Sequence, residues 1–209
     1  MSGELFRTVM RDVEAELEEK RSTFIAAVRR VSTAAEAEAF VKERRRLHPD
    51  ARHTVFAYLL RDGSKRYGDD SEPQGTAGMP TLRAIEQRGV SDVCVATTRY
   101  FGGILLGAGG LTRAYGAAAH LALEEAGVAE FVPYTDVELS LSYADHQRLL
   151  QELAYFGARE RHVVYAEGVT LTVGLPQERC RDFCLRVTDL TAGRTVPVVG
   201  ETRLDTKET

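Results

Sequence analysis

Apolar residues fall two apart at Val13, Ala15 and Leu17 with acidic residues between them, and Phe24 to Val31 forms a second apolar run. This alternation predicts a hairpin-like pair of strands at the start of the chain. Ser32-Thr33 then supplies a helix N-cap, and Ala37, Phe40, Val41 and Leu47 recur at helical spacing up to Pro49. Residues 53–60, HTVFAYLL, read as a buried strand. A polar loop from about Arg61 to Gly78 follows, then a short helix opened by Pro80 and closed near Gly89, and then a strand from Val93 to Thr98. In the next helix, expected to begin near Gly109 or Gly110, Leu111, Tyr115, Ala118 and Ala122 share one face. Arg113 and His120 share the opposite face, which looks outward or into a cleft.

The pattern restarts around Phe131-Val132-Pro133. Val137, Leu139 and Leu141 alternate as a strand, and Tyr143 to Phe156 reads as a helix ending at Gly157. Strands at Arg159 to Ala166 and Val169 to Leu175 meet at the turn signal Glu167-Gly168. Pro176 opens a helix through about Leu190, and Thr195 to Thr202 reads as the last strand. The order βαββαβ is that of a ferredoxin-like domain. The expected organisation is therefore α+β, with a boundary near 131–136 separating domains at 1–132 and 133–209.

The balance of 27 basic and 31 acidic side chains, a formal net charge of −4, argues against a protein that grips nucleic acid with its whole surface. One local exception is the run Lys42, Arg44, Arg45, Arg46 and Arg52, which reads as a solvated helix C-terminus or as a patch for a partner or RNA. No apolar run approaches the ~20 residues of a membrane helix. The acidic residues among the first twenty replace the basic start and apolar middle of a secretory leader, so a cytoplasmic location without membrane association is expected. Cys94, Cys180 and Cys184 form neither a CxxC pair nor a disulfide framework and read as reduced thiols. The five histidines lie without HExxH spacing, and no metal or cofactor is indicated by them.

The stretch Thr98 to Gly116, TRYFGGILLGAGGLTRAYG, holds six of the 18 glycines. Such density marks backbone that turns sharply or lies close to something, here between a strand and a helix whose free N–H groups attract anions. Gly102 and Gly107 have Walker A spacing, but Ala108-Gly109 stands where Lys-Ser or Lys-Thr belongs. Gly107-Ala108-Gly109 also lacks the third glycine of a dinucleotide fingerprint. What remains is a helix entrance with Arg99 and Tyr100 on one side and Arg113 on the other. An arginine in the first turn of a helix opposes the dipole and calls for a carboxylate partner or a bound anion.

The second unusual stretch is Tyr67 to Pro80, YGDDSEPQGTAGMP, with carboxylates at Asp69, Asp70 and Glu72. Three readings stay open: the carboxylates are solvated or pair with Arg99 and Arg113, they hold magnesium through one or two oxygens, or they recognise a partner. Ser71 and Thr76 lack the spacing of a triad. In the second domain, residues 159–166 offer Tyr165 alone where an RNA-stacking sheet needs glycines and several aromatics.

Together, the segments DDSEPQGTAG and TRYFGGILLGAGGLTRAYG resemble the signature of the IMPACT family, in its bacterial YigZ-like branch. The resemblance covers residues from about Lys20 to Gly127, followed by a smaller C-terminal domain as in bacterial members. It implies an N-terminal domain with the fold of ribosomal protein S5 domain 2 and a C-terminal domain like the last domains of elongation factor G. Both parallels point to translation, and eukaryotic relatives regulate it. A shared fold does not by itself assign a function.

The sequence reading that follows is a non-enzymatic binding protein engaging a ribosome, RNA or translation-associated protein, or a phosphate or other anion. The expected surface comprises Asp69, Asp70, Glu72, Gly75, Thr76 and Gly78 on the acidic loop. Arg99, Tyr100, Gly102, Gly103, Gly107, Gly109, Gly110 and Arg113 complete it on the glycine loop. The competing readings are a peptidase, phosphoester hydrolase or anion-substrate enzyme in the same cleft, and a purely structural role in which the charges neutralise each other.

Overall fold

The computed structural model describes residues 6–206, so the outermost residues of the two expected domains, 1–5 and 207–209, lie outside the described residues. Within that range the chain is α+β and forms two compact units, Phe6–Glu130 and the residues from Phe131 onward.

In the first unit the elements run β1 Phe6–Val9, β2 Val13–Glu19, β3 Ser22–Arg30, α1 Ala34–Leu47, β4 His53–Leu59, β5 Lys65–Gly68, α2 Gly78–Arg88, β6 Val93–Tyr100 and α3 Gly107–Ala126. An antiparallel sheet of order β2-β3-β6-β4-β5 forms its middle layer. Because side chains alternate along each strand, Phe24, Ala26, Val28, Val55 and Val95 face one way, where α2 and α3 cover them with Ile85, Leu111, Tyr115 and Leu123. Ala27, Tyr58, Cys94 and Ala96 face the other way and meet Ala37, Phe40 and Val41 of α1. Each such large apolar side chain contributes roughly 1.5–3 kcal/mol by leaving water. Phe24 and Tyr115 also meet edge to face, with ring centroids 5.0 Å apart.

Four expectations are corrected here. The polar loop after β4 contains β5, a four-residue edge strand whose sequence KRYG carries no alternation to detect. The apolar stripe of α1 ends on buried Arg44, whose guanidinium reaches Glu14 at 2.6 Å, and Leu47 one turn further on is exposed. Helix α3 starts at Gly107, earlier than expected, because Gly107 takes φ +69° and turns the chain directly into the helix. Arg113 thus lies in the second turn, and the argument from an opposed dipole at the first turn falls.

The β2–β3 hairpin turns through Lys20 and Arg21, both left-handed at φ 48° and 65°. The glycine loop passes directly over this turn. A Cβ on Gly102 would sit 1.8 Å from the carbonyl oxygen of Arg21, so only glycine fits.

The second unit contains most of β7 (Val128–Leu141), then α4 Tyr143–Phe156, β8 Arg159–Tyr165, β9 Val169–Pro176, α5 Gln177–Leu190 and β10 Val198–Thr206. Its strands order as β10-β7-β9-β8, all antiparallel, which is the ferredoxin-like arrangement. Val137, Leu139, Leu171, Val173 and Leu175 on one sheet face pack with Leu149, Phe183 and Val187 of the two helices. Ser142 caps α4 by accepting from the Asp145 N–H, and Gly157 ends it at φ 63°. The last strand starts later than expected, since Thr195 donates to the Ser140 carbonyl and Arg194 to the Asp145 carboxylate before the chain passes Pro197.

The three cysteines are free. Burial raises the Cys94 thiol to about 12, and burial beside Cys180 raises Cys184 to about 11, so both are poor nucleophiles at neutral pH. No helix is long and apolar enough to cross a membrane among the described residues.

The separate apolar core of the second unit predicts that a fragment of residues 133–209 folds alone, though a domain of this size is marginal. A dispersed amide NMR spectrum of that fragment is the expected result, and a collapsed spectrum beside a folded full chain would contradict it.

Candidate functional site

The three carboxylates of the acidic loop do not act together. Asp69 turns inward and accepts the N–H groups of Gly75 (2.9 Å), Ala77 (3.0 Å) and Gly78 (2.8 Å). It thereby caps α2, whose own N-cap residue, Ala77, has no side chain to do so. Asp70 accepts the Thr54 N–H at 2.7 Å and pairs with Arg45 at 3.2 Å, while its carbonyl accepts from His53 Nδ1 at 2.7 Å. Asp70 and Ser71 both take left-handed backbone, φ 44° and 69°. Strain of this kind costs on the order of 1–3 kcal/mol per residue and is sustained by the contacts around it. The Thr76 hydroxyl donates to the Pro73 carbonyl at 2.6 Å, and Gly75 at φ 76° completes the turn. Gly78 lies so near Gly68 that a Cβ would meet its backbone N and O at 2.9 Å.

Glu72, 8% exposed, is the carboxylate that meets an arginine of the glycine loop. Its Oε1 accepts from Arg99 Nη1 at 2.7 Å and from the Tyr115 hydroxyl at 2.8 Å, and His53 Nε2 stands 4.0 Å away. The Arg99 guanidinium lies 5.5 and 5.6 Å from the ring centroids of Phe24 and Phe101, and Nη2 reaches Ser22 Oγ at 3.4 Å. Its Nε lacks a hydrogen-bond partner among the described residues. Burial, reinforced by the negative charge of Glu72, pushes the Tyr115 phenol far above its ordinary range, so it remains a donor at any working pH.

A pocket of about 600 Å³ opens beside this cluster. Ser71, Glu72 and Pro73 form one wall, Phe101 and residues 105–108 the other, with Arg52, His53, Arg99 and Leu111 completing the lining. Because His53 Nδ1 donates to the Asp70 carbonyl, the neutral ring carries its lone pair on Nε2. Helix α3 enters from Leu106, which offers no capping side chain, and no acidic residue occupies its first turn. Among the described residues no side chain caps its leading N–H groups, whereas those of α2 are taken by Asp69. Gly103 (φ 84°) and Gly107 (φ 69°) both face open space.

The other expected residues lie elsewhere. Tyr100 projects to the α1 side of the sheet and meets His48 Nδ1 at 2.9 Å, while His48 Nε2 meets Arg44 at 2.8 Å. Arg113 is exposed on the outer side of α3 and has no ion pair among the described residues. Gly109 and Gly110 are inside the helix, and a Cβ on Gly110 would press on Leu106 Cβ at 2.9 Å. Two pocket residues that sequence reasoning passed over are Arg52, absorbed into the basic run, and His53. Their signal is their position at the start of an apolar strand, whose first residue pairs with Arg99 at the entrance to the glycine loop. Among the described residues no three His, Cys, Asp or Glu side chains are grouped to hold a metal.

Comparison with known proteins adds to this geometry. Residues 20–123 match the model of the Impact N-terminal domain, and residues 139–194 match a domain of unknown function, DUF1949. IMPACT family member YvyE of Bacillus subtilis (strain 168) is 35% identical over 93% of this chain and 90% of its own length. IMPACT family member YigZ of Escherichia coli (strain K12) is 36% identical over 83% and 87%. A solved structure titled "Crystal structure of an hypothetical protein" aligns with TM-score 0.61 and 31% identity, covering 95% of this chain and 98% of that one.

Two outcomes follow from the buried groups. Replacing Glu72 by Gln leaves the Arg99 charge uncompensated and is expected to destabilise the first unit by about 3–5 kcal/mol, read from urea unfolding. A loss below about 1 kcal/mol would show that the pair is dispensable. Second, burial and the neighbouring Arg44 charge lower the pKa of His48. The unfolded chain takes up that proton near pH ~6.5 while the folded one resists it, so this stability is present above that pH and is lost as pH falls towards the folded value. Urea midpoints at pH 7.5 and 5.5 should differ less for His48→Gln than for wild type; equal differences would remove the assignment.

Proposed function

The chain belongs to the IMPACT family, and from that premise we propose that it is a non-enzymatic cytoplasmic binding protein attached to translation or its regulation. It takes an anionic group of a ribosomal, RNA or translation-factor partner into the pocket between the acidic and glycine loops. The observation that carries this reading is the uncapped N-terminus of α3, opening beside Arg52 into that pocket. Free N–H donors, a positive dipole end and an arginine together favour a negative guest. The link to translation draws on the resemblance of the two domains to ribosomal protein S5 domain 2 and to the last domains of elongation factor G.

The roles within the site differ by residue. Arg99 is fixed by Glu72 and shapes the wall, so its charge is already balanced. Arg52 is exposed, without an ion pair among the described residues, and brings the uncompensated charge. The competing hydrolase reading has one observation in its favour: the Nε2 lone pair of His53 in a pocket beside Ser71.

Titration with ribosomes and RNA at low salt is the test. Binding is expected to weaken as salt rises and to fall several-fold for Arg52→Ala, by about one phosphate contact's share of the salt slope where RNA is bound. No binding to either, together with peptide or phosphoester hydrolysis abolished by His53→Gln, would overturn the binding reading in favour of the enzyme.

A further inference from the structure

We propose that the anionic group taken by this pocket is the C-terminal carboxylate of a polypeptide ending in an apolar residue. The inference rests on the binding reading above and narrows its ligand. Charge is the first reason. Glu72 cancels Arg99 inside the wall, with both side chains less than 10% exposed, and the His53 Nδ1–H is already given to the Asp70 carbonyl. Arg52 and the N–H groups of α3, which no side chain caps among the described residues, remain, enough for one negative charge. A phosphate monoester carrying nearly two would stand beside Glu72 with little to balance the second.

The wall is the second reason. From the anion position the pocket continues along Phe101, Leu105, Leu106 and Leu111, a surface that buries an aliphatic side chain. Leu105 is 84% exposed, and Ile104 and Phe101 are each 41% exposed, so the tip of the glycine loop presents apolar surface that a ligand would cover. At about 600 Å³ the pocket falls within the usual range of about 300–1,000 Å³ for small-ligand sites, room for a short peptide end.

Backbone geometry is the third. Gly103 and Gly107 flank Ile104 to Leu106 in left-handed conformation with nothing within 4 Å of where their Cβ atoms would be. A ligand's backbone can therefore approach the loop closely, as in other sites that capture a chain-terminal carboxylate on main-chain N–H groups. Arg99, 6% exposed and part of the same lining, keeps its Nε–H without an acceptor among the described residues. With Nη1 on Glu72, Nη2 on Ser22 and Nε out of solvent reach, the guanidinium is a fixed part of the wall and leaves the ligand to Arg52 and the α3 N–H groups.

The test uses the full chain and fluorescence anisotropy with an N-terminally labelled pentapeptide pool ending in leucine, as free acid and as C-terminal amide, beside a labelled ten-nucleotide single-stranded RNA. The free acid is expected to bind about tenfold or more tightly than the amide, as loss of a charge-assisted contact implies. Arg52→Ala should weaken the acid several-fold, and Leu105→Asp should do the same with an unchanged circular dichroism spectrum, because that side chain is on the surface. Equal affinity for acid and amide overturns the proposal. Salt-dependent RNA binding that Arg52→Ala weakens, with no peptide binding, overturns it and leaves the anion-binding reading in place; binding of neither probe removes both.

Discussion

The pocket depends on one buried ion pair. Glu72 and Arg99 are 27 residues apart in sequence and join a loop to the end of β6, while Tyr115 ties α3 to the same oxygen. Taking two charges out of water costs several kcal/mol each, and the attraction between them recovers this only when geometry and further hydrogen bonds are good. Such a cluster adds little net stability, yet it is costly to leave half made. Its effect is to hold three separate elements at one register, which fixes the position of Phe101 and of the entrance to α3.

Around that pair the backbone meets conditions that side chains alone do not. The acidic loop contains two consecutive left-handed residues, Asp70 and Ser71, held by the Asp70 carboxylate on Thr54 N–H and by its carbonyl on His53. Asp69 stabilises the first turn of α2 from nine residues away in sequence. The acidic residues that look from sequence like a metal or partner site are thus mostly used in building the loop. The chemistry that remains available sits on the opposite wall.

Much of the fold was legible because it rests on local rules. The stripes of α1 and α3, the cap at Ser142 and the glycine at position 157 follow from helix geometry, and the βαββαβ order from alternation and turn residues. The site was legible only in part. His53 stands beside Arg99 because β4 and β6 pair with those two residues opposite each other, a register set by the sheet as a whole. Arg44 and Arg52, nine and one residues before β4, belong to one basic run by composition, yet one is buried against Glu14 and the other lines the pocket. Charge runs do not tell which member turns inward. Strand β5 escaped because an edge strand with polar residues has no periodicity to betray it.

The crossing of Gly102 over the β2–β3 turn bears on how this protein tolerates change. The contact is with the carbonyl and Cβ of Arg21, atoms shared by every residue but glycine, so the identity of residue 21 is free to drift among those that accept left-handed backbone. The number of residues in the turn is not. An insertion there would lift the glycine loop as a whole, carrying Phe101 and the entrance to α3 away from the acidic loop, so in a comparison of variants this two-residue turn should be constant in length while its composition wanders.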